Sequence, residues 1–146
     1  MKSKEFIKVD LHVNGEEIIP QEKKVQLTSG KLSIKKMPKG EFYELYQDYV
    51  CSSTLRIANE MFQLLPLETV NVTALTEMVD SKTGHLKDTP ILSVLIHKKT
   101  FEKLNLDCID PSDSMANFIH NMNFKRTKGM QKVKILTSEE FITEKL

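Results

Sequence analysis

Between Gly40 and Pro66, residues Phe42, Leu45, Tyr46, Tyr49, Val50, Ser53, Ile57, Ala58, Met61, Phe62 and Leu65 recur at steps of three and four. That period places them on one stripe of a helix, so the segment predicts a single amphipathic rod over about 41–64. Pro38-Lys39-Gly40 breaks what comes before, Pro66 stops what comes after, and Glu41 and Glu44 put anions in the first turn, where the macrodipole favours them. A stripe of this size has to be covered. At roughly 1.5–3 kcal/mol per fully buried large side chain, four or five of them exceed typical net domain stability before chain entropy is subtracted.

The remaining segments carry strand patterns able to supply that cover. Ile7, Val9, Leu11 and Val13 alternate with Lys8, Asp10 and His12, the mark of a half-buried strand, and Asn14-Gly15 ends it. Val25 and Leu27, then Leu32 and Ile34, flank Thr28-Ser29-Gly30-Lys31 and read as a hairpin. Val70, Val72 and Ala74 alternate with Thr69, Asn71 and Thr73, and a turn is expected at Asp80-Ser81-Lys82-Thr83-Gly84. Ile91 to Ile96 is apolar on both faces except at Ser93, which predicts a central strand covered on each side. Asp110-Pro111-Ser112-Asp113 supplies an N-cap carboxylate, a proline at N1 and an acid at N3 ahead of Met115, Phe118, Ile119 and Met122, which predicts a second helix over about 111–122. Lys132 to Leu136 reads as a last strand, and Ser138-Glu139-Glu140 as the cap of a short helical turn.

This order predicts an α+β fold: a mostly antiparallel sheet with the long helix packed on one face and a shorter second helix. At 146 residues the chain is expected to be a single α+β domain over 1–146, with 1–39 a basic, β-rich N-terminal portion. Lys and Arg total 21 against 20 acids, a net charge of +1, but the balance is uneven. Residues 1–40 carry nine basic and five acidic groups, 41–64 one and four, 65–122 five and eight, and 123–146 six and three. The ends are basic and the middle acidic, so the molecule is dipolar. No apolar run approaches the ~18 residues needed to span a bilayer, and the N-terminus shows no signal-peptide h-region, so a cytoplasmic location without membrane contact is expected. Cys51 and Cys108 are expected to be free thiols.

Several chemistries find no support. His12, His85, His97 and His120 include no i,i+4 pair and no neighbouring cysteine, so no metal is expected. The phosphate-binding patterns G-x-x-x-x-G-K-[ST] and G-x-G-x-x-G and the nucleophile elbow G-x-S-x-G are all missing, and the chain has only five glycines. No cofactor is implied. Tyr43, Tyr46 and Tyr49 put phenols within two helical turns, and Tyr46 and Tyr49 are expected at the edge of the core with their hydroxyls outward.

Two arrangements point to specific chemistry. Acids in the first turn of the long helix, a hairpin with Asp80 or Asp88, a strand ending Ile96-His97-Lys98 and a following helix resemble, over about sixty residues, the core order of restriction-endonuclease-like nucleases. In that family an Asp and a Glu-x-Lys pair on adjacent strands hold Mg²⁺ and place the attacking water. The resemblance implies a metal-dependent phosphodiesterase, or an inactive relative, built on Glu44, Asp80, Asp88 and Lys98, although Ile96 stands where the family has its carboxylate. The second arrangement is basic: Lys31, Lys35, Lys36 and Lys39; His97, Lys98 and Lys99; and Lys125, Arg126 and Lys128 followed by Lys132 and Lys134. Lysine at this density is what phosphate contact requires, so Lys35, Lys36, Lys98, Lys99, Lys125, Arg126 and Lys128 are the candidate nucleic-acid contacts. A good core without a convergent nucleophile, base or metal set favours a small binding or accessory module without catalysis of its own, acting on a macromolecular partner or as a homo-oligomer.

Overall fold

Lys39–Leu64 form one helix, α1, of 26 residues, and its buried face is Tyr46, Val50, Cys51, Thr54, Leu55, Ala58 and Phe62. The computed structural model describes residues 6–137. The helix starts at Lys39 because Pro38, extended at its N-cap, has no N–H to lose and leads directly into the first turn. Ser53 and Thr54 sit in the helix without breaking it, since their hydroxyls donate to the carbonyls of Tyr49 and Val50 one turn back.

The strands are β1 (Phe6–His12), β2 (Glu22–Gln26), β3 (Leu32–Lys36), β4 (Thr69–Val79), β5 (Leu86–His97), β6 (Ile119–Lys125) and β7 (Gly129–Gln131). Five of them form one sheet in the order β1-β4-β5-β6-β7, and β2 and β3 form a separate two-stranded sheet. The β1–β4 pair is parallel and the other pairs antiparallel. A parallel pair needs a long crossover, and here β2, β3 and α1 all lie within it. Register puts Val9 beside Val72 and Val72 beside Val94, so one face of the sheet is an apolar layer under α1. Ile91 through Ile96 are fully buried, the central strand expected from their two-sided apolar run.

The second face is smaller and more polar. Leu95 packs with Leu136 and Ile119, the Thr73 and Ser93 hydroxyls lie 3.1 Å apart, and the Leu136 amide donates to Ser93 at 3.0 Å. Asn71 is buried on this face, and among the described residues its side-chain amide finds no hydrogen-bond partner.

Three boundaries differ from the sequence expectation. The second helix starts at Pro111, capped by Asp110 accepting from the Ser112 and Asp113 amides, but α3 ends at Ser114 and a 3-10 turn at Asn117. Residues 119–122, expected to be helical, belong to β6. The spacing of Met115, Phe118, Ile119 and Met122 suits a helix, yet Asn117, Asn121 and Asn123 are weak helix formers, and β5 offers an edge on which Leu92 pairs with Met122. The last strand, expected at 132–136, is instead the short β7 at 129–131. The following segment lies across the sheet, held where the Val133 amide bonds the Pro90 carbonyl. The chain after β5 also turns at once into a short helix, α2 (Lys98–Glu102), at a place where the sequence pattern marks none. The expected cap at 138–140 lies outside the described residues. Among the described residues, no helix is long and apolar enough to cross a membrane.

Candidate interaction surface

The four residues of the nuclease-like arrangement are not brought together. Glu44 is held by Arg126, Nε to Oε1 at 2.8 Å, near the N-terminus of α1. Asp80 serves its own turn, accepting from the Lys82 amide at 2.9 Å. Asp88 pairs with His12 at 3.4 Å, both exposed. From Asp88 to His97, β5 runs extended for about 30 Å, so Lys98 lies at the far end of the strand, 4.0 Å from Glu102. Among the described residues, no group of three or more His, Cys, Asp or Glu is placed to hold a metal ion.

His12 and Asp88 border a cleft of about 460 Å³ between the turn after β1 and the outer part of β4–β5, lined also by Asn14, Glu17, Thr76 and Glu77. Hydrogen bonds tie its inner wall to α1. Tyr46 donates to the Asn14 carbonyl at 2.6 Å, and the Tyr49 oxygen accepts from the Asn14 backbone and side-chain amides at 3.1 and 3.2 Å. The two phenols therefore fix the turn that ends β1. Burial pushes the Tyr46 hydroxyl up to about 12, so it keeps its proton at neutral pH and acts as a structural donor. Burial, with Glu17 nearby, raises the Glu16 carboxyl above its usual range. A His–Asp pair, the carboxylates of Glu17 and Glu77 and the Thr76 hydroxyl line this cleft. The cysteines lie elsewhere: both are free, Cys108 exposed and Cys51 buried, with burial raising the Cys51 thiol to about 12.

The lysine clusters separate into two places. Arg126 lies against Gly40, so the β6–β7 turn carrying Lys125, Arg126 and Lys128 shares the N-terminal end of α1 with Lys39 and the base of the β2–β3 hairpin. The hairpin is tied there by the Lys23–Glu41 ion pair at 2.8 Å and by the Met37 amide on the Gln21 carbonyl at 2.7 Å. Lys98, by contrast, borders a hollow with Phe62 and Gln63 at the other end of the helix, and Lys99 follows it. A helix of 26 residues is about 39 Å long, so Lys98 and Lys99 do not join the basic surface that Lys35, Lys36, Lys125, Arg126 and Lys128 share.

Sequence reasoning passed over the apolar residues of that surface. Residues 22–39 carry six lysines and one acid, and among them Leu32 and Ile34 are 69% and 64% exposed. They lie on one face of the hairpin, with Lys24 directly across from Ile34, Gln26 across from Leu32, and Lys36 two residues beyond Ile34. The outer part of β4–β5 shows a second bare strip, where Val79 and Leu86 pair directly and each is 65% exposed. Alternation in sequence marks such residues as one-sided. Whether anything covers that side is a tertiary fact. Comparison with protein-family models, curated proteins and solved structures finds no match to this chain.

Proposed function

We propose that this chain is a small binding module without catalysis of its own, and that the β2–β3 hairpin is its contact arm. The observation that carries this reading is the pair Leu32 and Ile34, left in water on a ribbon that joins no other strand among the described residues. A two-stranded ribbon is marginal by itself and gains stability when its apolar face is covered. Large apolar side chains rimmed by lysines are typical of a surface meant for a partner. Sedimentation of the full chain, alone and with a labelled DNA duplex, tests the reading. It expects at least one complex, lost on Lys24→Glu/Lys36→Glu. If no complex forms in either sample, or if complexes persist with the reversed arm, the reading is overturned.

A second reading, nucleic-acid binding, is favoured by one observation: the lysines of the arm and of the β6–β7 turn lie at the same end of α1. With roughly four lysine–phosphate contacts, duplex affinity should fall about a hundredfold between about 50 and about 200 mM salt. Lys98→Ala and Lys99→Ala, far from that end, should leave it unchanged. A flat salt response rejects this reading.

A further inference from the structure

Resting on the reading of the β2–β3 hairpin as a contact arm, we infer that its occupant is a second copy of this chain: the arm of one protomer packs on the outer face of β4–β5 in the other. Two bare sheet faces on the molecule complement each other. On the arm, Leu32 and Ile34 are flanked by Lys24 and Lys36, with Glu22 opposite Lys36. On the outer part of β4–β5, past the register shift at Ala74/Leu75, Glu77 pairs directly with Asp88, followed two residues on by the exposed pair Val79 and Leu86.

Carboxylates directly opposite one another on a sheet repel, and the side chain beside this pair is the His12 ring, 3.4 Å from Asp88. The arm supplies lysines for Glu77 and Asp88 and branched apolar side chains for Val79 and Leu86. Two sheets stacked face to face lie ~10 Å apart, close enough for both contacts to form at once. Phosphate would reward Lys24 and Lys36 but leave Leu32 and Ile34 in water, so a protein face with both acidic and apolar groups fits the arm better than a nucleic acid. Arm and acceptor lie on one chain, so a two-fold axis would form the contact twice in each dimer.

Sedimentation of the full chain, freed of nucleic acid, is the test, with Lys24→Glu/Lys36→Glu as the arm variant and Glu77→Lys/Asp88→Lys as the acceptor variant. The expected result is a wild-type dimer weakened at least tenfold by each double reversal and by high salt. An equimolar mixture of the two variants should recover the dimer, because a reversed arm then meets a reversed acceptor while the unaltered pair meets in the other half. Recovery also shows that both variants fold. A wild type that stays monomeric, a dimer indifferent to both reversals, or a mixture that stays monomeric overturns self-docking. If a complex forms only with added duplex DNA and is lost with the arm variant, self-docking fails while the contact-arm reading stands. If the arm variant changes neither, that reading fails as well.

Discussion

The hairpins β2–β3 and β4–β5 are built from the same antiparallel ladder and meet opposite fates. In β4–β5 the inner pairs Val70–Ile96, Val72–Val94 and Ala74–Leu92 are fully buried under α1, and Asn71, Thr73, Ser93 and Leu95 are buried on the reverse side. In β2–β3 the pairs Lys24–Ile34 and Gln26–Leu32 look into solvent. The difference lies in sequence composition. A strand apolar on both sides can only be interior, whereas a strand pairing lysine with a branched side chain can be half of an interface. The β4–β5 hairpin forms the centre of the core, and the β2–β3 hairpin keeps its Leu32–Ile34 face in solvent.

The largest expected effect lies in the inner hairpin. Leu92, fully buried against α1 and paired with Ala74 and Met122, should destabilise the chain by about 2–5 kcal/mol when replaced by alanine, as read from a chemical denaturation midpoint. A loss below about 1 kcal/mol would mean that the centre of the sheet is loosely packed, and the contrast would collapse.

A smaller effect separates two glycines that share one backbone conformation. Gly129, at φ 80°, closes the β6–β7 turn, and Gly30, at φ 85°, closes the arm. A Cβ on Gly129 would come within 2.7 Å of the Tyr43 ring, whereas one on Gly30 would meet none of the described residues within 4 Å. Gly129→Ala thus adds a collision to the left-handed penalty and should cost about 3 kcal/mol of global stability. Gly30→Ala carries only the penalty of about 1–2 kcal/mol, and it falls on the arm. Amide exchange should quicken within 22–36 while the global midpoint stays put. A matching global loss from Gly30→Ala would show that the arm is part of the core.

How much of this was legible in the sequence follows from what each pattern encodes. α1 and the strand at 91–96 were legible because a long 3.6-residue period and a two-sided apolar run each admit one solution. The stretch 115–122 was not, because its spacing satisfies helix and strand alike, and the open edge of β5, a tertiary feature, decided between them. At the candidate surface, the lysines were plain from composition. Their sorting was not, since it depends on which turn folds back onto Gly40. The exposure of Leu32 and Ile34 was hidden for the same reason: alternation tells which residues share a face and is silent on what lies over it.

The smallest expected effect bears most directly on the arm. Leu32→Ser removes a large apolar side chain, a change that in β5 would cost several kcal/mol. On the arm the side chain keeps most of its surface in water in the single chain, so the transfer free energy it gains on folding is small. The stability of the dilute monomer should therefore move by less than about 0.5 kcal/mol. The same substitution should weaken whatever covers the arm, because there the side chain would be taken out of water. A stability loss near 2 kcal/mol in the monomer would mean that Leu32 is already covered within its own chain, and the arm would then be a part of the core and not a contact.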